Sequence, residues 1–75
     1  MSSALDIREH LLQSSDEFRK LAKEHSAYDE KLSLLLNRSF LSEQEKLEEV
    51  TLKKLKLRAK DRMQQMIQAQ RQQQD

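Results

Sequence analysis

The chain contains no cysteine, glycine, proline or tryptophan among its 75 residues. The lack of cysteine excludes a disulfide framework, a CxxC redox pair and a cysteine-based zinc site. The lack of glycine excludes a phosphate-binding loop of the GxGxxG or Walker type, because both loops need backbone that approaches phosphate closely. With only two phenylalanines and one tyrosine besides, the chain is also a poor candidate for an all-β fold.

Excess charge and long apolar runs are missing as well. The formal net charge is +1, from 14 basic and 13 acidic residues, so overall charge does not indicate nucleic acid or an anionic membrane as a partner. The longest apolar run is Leu34-Leu35-Leu36, whereas a membrane-spanning helix needs about 20 apolar residues. Residues 1–8 show no apolar signal-peptide region. We therefore expect one domain over 1–75, in the cytoplasm and without membrane contact.

Apolar residues recur with a helical period over the first half of the chain. Spacings of three and four residues form a heptad stripe. Its members are Ala4, Ile7, Leu11, Ser14, Phe18, Leu21, His25, Tyr28, Leu32 and Leu35. Ser14 followed by Glu17 is a capping-box pattern, which predicts one helix over 4–13 and a second over 15–36. The alternative is one continuous helix with polar serines inside it.

A second break is predicted after the second helix. Asn37 tolerates the left-handed backbone conformation that ends many helices. Ser42 followed by Glu45 forms a second capping box and predicts a helix start. These signals divide the rest of the chain into a turn, a long helix and a frayed glutamine-rich tail, over 37–42, 43–70 and 71–75.

Two helices joined by so short a turn pack antiparallel. We therefore expect an all-α fold, an antiparallel helical hairpin of coiled-coil character with a short extra N-terminal helix. The register set by the turn places Leu32 beside Leu47, and Tyr28 beside Val50. Because Leu47, Val50 and Leu57 share one side of the long helix, this side is predicted to face the second helix.

The long helix carries a second apolar stripe, whose members lie within about 80° on a helical wheel. They are Leu52, Leu55, Ala59, Met63 and Met66. A helix in a simple hairpin needs one apolar face, so two faces indicate two partners. The second partner is either the N-terminal helix, through Ile7, Leu11 and Leu12, or another copy of the protein. Because so short a chain buries little apolar surface on its own, we predict a homodimer through this stripe.

The strongest local charge is the basic run 53–62, with six positive charges and one negative charge. On the helical wheel three of its lysines group on one side, namely Lys53, Lys56 and Lys60. The other basic residues of the run lie elsewhere, and no aromatic residue follows Phe40 to stack on bases. Three interpretations stay open: a solvated and partly ion-paired face, a docking surface for an acidic protein, and a nucleic-acid-binding surface.

No catalytic or metal-binding pattern emerges. His10 and His25 have no second ligand at the spacing that a bundle or zinc site needs. His25 lies on the apolar stripe and is interpreted as a structural histidine, the alternatives being a metal ligand and a pH-sensitive interface. A thin hairpin offers no deep cleft that excludes water or shifts a pKa. We therefore expect no enzyme activity, catalytic residue, cofactor or metal.

Three segments resemble the YdcH-like family of small bacterial proteins, which carry a domain of unknown function. They are Phe18, the segment His25-Ser26-Ala27-Tyr28-Asp29, and the segment Lys53-Lys54-Leu55-Lys56-Leu57-Arg58-Ala59-Lys60-Asp61. The resemblance covers about residues 5–66, and Tyr28 and Ala59 stand where leucine is usual in the family. It implies a bacterial, cytoplasmic helical hairpin with no assigned activity, cofactor or catalytic residue.

Taken together, these patterns favour a small protein–protein interaction module that works by helix packing. The expected partners are a second copy and an unidentified protein. The residues expected to carry self-association are Leu52, Leu55, Ala59, Met63 and Met66, and those expected to carry docking are Lys53, Lys56 and Lys60. The alternative is a nucleic-acid-associated protein that uses the basic run 53–62.

Overall fold

A computed structural model describes residues 4–74, which form three α-helices and no strand. The helices are α1 (Ala4–Ser14), α2 (Asp16–Leu36) and α3 (Glu43–Gln74). The two long helices pack along each other, and α1 packs on both of them. The prediction of an all-α fold with an extra N-terminal helix is confirmed.

Two ion pairs give the direction in which α2 and α3 run. Glu17, in the first turn of α2, binds Arg62 in the second half of α3, whereas Asp29, later in α2, binds Lys56, earlier in α3. Positions that advance along α2 therefore meet positions that go back along α3, so the two helices are antiparallel. The result is a long, thin molecule of 49 × 21 × 15 Å.

The break between α1 and α2 lies at Ser15. Its backbone is extended, with φ −122° and ψ 115°, and its hydroxyl accepts a hydrogen bond from the backbone N–H of Phe18 at 3.1 Å. The predicted cap was Ser14, which is wrong by one residue, because the Ser14 hydroxyl instead donates to the carbonyl of His10 at 2.8 Å. Since extended backbone cannot continue a helix, the alternative of one continuous helix is wrong too.

The start of α3 is a reciprocal capping box, as the sequence predicts. The backbone N–H of Ser42 donates to the Glu45 carboxylate at 3.0 Å, and the backbone N–H of Glu45 donates to the Ser42 hydroxyl at 3.1 Å. The hydrogen bond from Ser42 holds the pKa of Glu45 below its ordinary value. Arg38 also pairs with Glu45, which ties the end of α2 to the start of α3.

Two helix ends differ from the sequence prediction. Asn37 closes α2 with right-handed backbone, at φ −79° and ψ −8°, so the expected left-handed residue is wrong. A left-handed residue is not needed there, because the N–H groups of Asn37 and Arg38 donate to carbonyls of the last turn of α2. At the other end, α3 continues to Gln74 instead of ending near 70, because glutamine is a fair helix former. The last tail residue, Asp75, lies outside the described residues.

Buried side chains form two clusters along the hairpin. The first lies where the three helices meet and consists of Ile7, Leu11, Phe18, Met63 and Ile67. The second lies nearer the loop and consists of Leu32, Leu35 and Leu52, with Tyr28 and Leu41 packed at its edge. From Ile7 to Leu35, every apolar member of the predicted heptad stripe is buried or half-buried.

The face of α3 that packs inward is the opposite of the predicted one. Leu47, Val50 and Leu57 were expected to contact α2, yet they are 70%, 51% and 57% exposed. The predicted register of α2 against α3 is therefore wrong as well, because Leu32 packs beside Leu52 and not beside Leu47. The exposed row continues along the helix with Asp61, Gln64 and Gln68, so turning it inward would bury polar side chains.

The residues predicted for self-association instead belong to the interior of the single chain. Among the five, Leu52, Ala59 and Met63 are buried, whereas Leu55 and Met66 are half-buried. Their stripe continues apolar as far as Ile67, which lets α3 cover both α1 and α2. Met63 and Met66 pack with α1, which is one of the two partners considered for this stripe, whereas Leu52 packs with α2. The homodimer stays a prediction.

Candidate functional site

The three lysines predicted as a docking site lie together in the structure. They line a groove of about 420 Å³ between α2 and α3, called here the α2–α3 groove. Its lining residues are Asp29, Leu32, Ser33 and Leu36 from α2, and Lys53, Lys56, Leu57 and Lys60 from α3. The helical spacing that groups these lysines on a wheel also places them beside α2, because this side of α3 borders its buried stripe.

Ion pairs occupy two of the three lysines. The ammonium of Lys56 donates to a carboxylate oxygen of Asp29 at 2.5 Å. This hydrogen bond and the charge of Lys56 hold the pKa of Asp29 below its ordinary value. Lys53 pairs with Glu49, one turn earlier on α3, at 2.8 Å. Lys60 forms no ion pair with another residue of 4–74, so its charge is available to a partner.

Leucine side chains form the apolar part of the α2–α3 groove. Leu32 is buried at its base, whereas Leu36 and Leu57 are 58% and 57% exposed on its two sides. Leu36 is the last residue of α2, and Leu57 lies in the middle of α3. The groove therefore combines an apolar surface contributed by both helices with a row of ammonium groups along α3.

A second groove of about 260 Å³ shares Lys56 and Lys60 with the first. Its other lining residues are Arg8, His25, Met63 and Gln64. The Arg8 guanidinium lies 5.8 Å from the centroid of the buried Phe18 ring, a cation–π distance that holds it toward the hairpin. Positive groups thus extend from the α2–α3 groove to α1, and the half-buried His25 lies among them.

The rest of the basic run does not join this surface. Arg62 pairs with Glu17 of α2 at 3.1 Å. Arg58 borders a different shallow groove together with Glu24 and Tyr28. Lys54 is exposed beside Val50 and Leu57, on the face of α3 that points away from α2. The run 53–62 is therefore divided among several sides of α3.

The surface of the molecule is large for its mass. The accessible area is 5938 Å², whereas a compact monomer of 8.9 kDa exposes about 4,800 Å². Among the described residues seven large apolar side chains are exposed, and six of them lie between residues 34 and 57. Leu34, Leu36, Phe40, Leu47 and Val50 lie near the loop, Leu57 lies in the middle of α3, and the seventh residue is Leu5.

Within 4–74, histidine, aspartate and glutamate side chains do not come together in a group of three that could hold a metal ion. In that part of the chain, none of the three helices has both the length and the hydropathy needed to span a bilayer.

Sequence reasoning found the lysines of the site and missed the groups around them. Leu57 was assigned to the interior, and Leu36 and Arg8 were not considered as surface residues. The sequence did single out Asp29, because it ends one of the segments that resemble the YdcH-like family. In the structure Asp29 binds Lys56, which belongs to another of these segments. In comparisons with known proteins, no family model, curated protein or solved structure matches the chain.

Proposed function

We propose that this protein is a non-enzymatic protein–protein interaction module of the cytoplasm, which binds its partner by helix packing. The observation that carries the proposal is the concentration of exposed apolar side chains at the loop end of the hairpin, next to the lysine-lined α2–α3 groove. Exposed apolar surface rimmed by polar groups is typical of interaction sites, because its burial against a partner removes it from water.

The amount of surface also supports a partner. The accessible area exceeds that of a compact monomer by about 1,100 Å². One side of a standard protein–protein interface buries about 800 Å². A partner covering the loop end would thus bring the surface of this thin hairpin close to that of a compact protein.

Charge favours a different protein over a second copy as the partner. The outward face of α3 offers Leu47, Val50 and Leu57, but Lys54 interrupts this row. In a parallel α3 pair, Lys54 would meet the same lysine of the partner. In an antiparallel pair that sets Leu47 against Leu57, Lys54 would meet Val50 of the partner. The first pairing sets like charges together and the second sets an ammonium group on an apolar side chain, and both oppose association.

The resemblance to the YdcH-like family is part of the proposal. Two of its segments contact each other through Asp29 and Lys56, and the third, Phe18, is buried in the cluster where the three helices meet. These contacts support a hairpin whose family-like residues have structural roles, and they assign no activity.

The proposal is tested by comparing leucine variants in affinity capture. Leu57→Glu is expected to abolish capture of a defined protein from nuclease-treated host lysate, whereas the wild type retains it. Leu5→Glu is the matched control, because Leu5 is similarly exposed at 64% but lies on α1. Thermal unfolding by circular dichroism verifies that both variants fold. Capture that survives Leu57→Glu, or is lost equally in Leu5→Glu, would overturn the proposal.

Nucleic-acid binding by the run 53–62 is the second candidate, and it rests on the positive row from Lys53 to Arg8. Three of the run's six cations are paired with Glu49, Asp29 and Glu17, which leaves fewer charges for phosphate. Salt distinguishes the two functions. Phosphate binding weakens steeply between about 50 and 200 mM salt, whereas packing through leucines weakens little.

A further inference from the structure

We infer that the α2–α3 groove binds an acidic amphipathic helix of another protein, about three turns long. The inference rests on the proposed function and names the chemistry of the partner. It follows from the charge of the groove, from its apolar residues and from its length.

The charge of the groove is positive along one side. Lys53, Lys56 and Lys60 stand at intervals of three and four residues on α3. Asp29, the one acid among the lining residues, pairs with Lys56, and Glu49, outside the lining, pairs with Lys53. Lys60 has no ion pair within 4–74, so a carboxylate of the partner would pair with its ammonium group.

The apolar residues and the length of the groove suit a helix. Leu36 and Leu57 flank it while Leu32 lies at its base, so a partner's leucines on one helical face can pack between α2 and α3. From Lys53 to Gln64, where the second groove ends, α3 extends about 16 Å at 1.5 Å per residue. A bound helix of about three turns would lie over this length.

Other occupants match the groove less well. Nucleic acid would leave Leu36 and Leu57 without apolar contacts, and neither groove is lined by an aromatic side chain on which a base could stack. A second copy would present Leu47 and Val50 together with Lys54, which carries the same charge as Lys60 of the first copy.

The test is an unbiased selection followed by direct binding. A display library of random 14-residue helix-forming peptides is selected against the wild-type protein. We expect enriched peptides with a net negative charge, with apolar residues at positions i, i+3 or i+4, and i+7. A selected peptide is then labelled, and its Kd is measured by fluorescence anisotropy.

Two single charge reversals on the same helix give the matched comparison. Lys60→Glu is expected to weaken binding of the selected peptide by about tenfold or more, because it replaces attraction with repulsion in the groove. Lys54→Glu introduces the same charge change on the outward face of α3 and is expected to change Kd by less than about twofold. Circular dichroism and thermal unfolding establish that both variants keep the fold.

The inference is overturned if selection yields neutral or basic peptides or none, or if Lys54→Glu weakens binding as much as Lys60→Glu does. It is also overturned if a 20-nucleotide single-stranded RNA binds more tightly than the peptide and Lys60→Glu abolishes that binding. A wild-type dimer in light scattering that Lys60→Glu dissociates would overturn it as well. If selection fails while Leu57→Glu still abolishes capture from lysate, the partner chemistry is wrong and the proposed function stands. If the capture is also insensitive to Leu57→Glu, both are wrong.

Discussion

Lys56 of α3 and Asp29 of α2 form an ion pair between helices, 27 residues apart in the chain. The pair lies in the wall of the α2–α3 groove and, together with Arg62 and Glu17, marks the register of the two helices. Both pairs are exposed, and exposed ion pairs contribute little to stability. They favour one alignment of the hairpin, whereas the buried clusters hold it together.

The first prediction concerns the titration of Asp29. In the folded protein its pKa lies below the ordinary value because Lys56 binds the charged form. Since a depressed folded pKa stabilises the fold above the unfolded pKa, this contribution is lost as pH falls through the folded pKa. Lys56→Gln should raise the pKa of Asp29 in a carboxyl NMR titration. Lys53→Gln is the control, and an equal rise there would contradict the assignment.

The second prediction tests which face of α3 is inside. Leu52→Ala should lower the free energy of unfolding by about 2–5 kcal/mol, because it leaves a cavity among buried leucines. Leu57→Ala, the same change on an exposed side chain, should alter it by less than about 0.5 kcal/mol. Urea denaturation measures both. An equal drop in the free energy of unfolding for both variants would contradict the prediction, because it would mean that Leu57 is buried in the isolated protein.

The third prediction concerns the break between α1 and α2. Ser15→Ala removes the hydroxyl that accepts from the N–H of Phe18, and a lost N-cap costs about 1 kcal/mol. Ser14→Ala removes only a hydrogen bond within α1, which does little for a helix. Urea denaturation should show a lower free energy of unfolding for Ser15→Ala than for Ser14→Ala. The opposite order would mean that Ser14 is the N-cap of α2.

The fourth prediction concerns the start of α3. Ser42→Ala removes the hydroxyl that accepts from the N–H of Glu45 and should lower the free energy of unfolding by about 1 kcal/mol. Ser39→Ala, in the same loop, should change it by less than about 0.5 kcal/mol. Thermal unfolding of both variants measures the difference. Matching melting temperatures would show that the capping box is not formed in solution.

The sequence by itself determined where the helices begin and end, to within a few residues. The reason is that these signals are local. The capping box of Ser42 and Glu45 is complete within four residues, and the break at Ser15 needs only the hydroxyl and the N–H of Phe18. The polar character of the lysine row was equally visible, because Lys53 and Lys60 are on one side of any helix that contains them.

Only the tertiary structure decided which face of α3 turns inward. Both faces are apolar near the loop, and the register of the turn favours Leu47 for contact with α2, whereas the structure places Leu52 there. The choice depends on the far end of α3, where one row continues to Ile67 and the other becomes polar. Packing the first row lets α1 and α2 both bury apolar surface on α3. The buried apolar surface is the sum of contacts among three helices, so it cannot be judged from any single segment of the sequence.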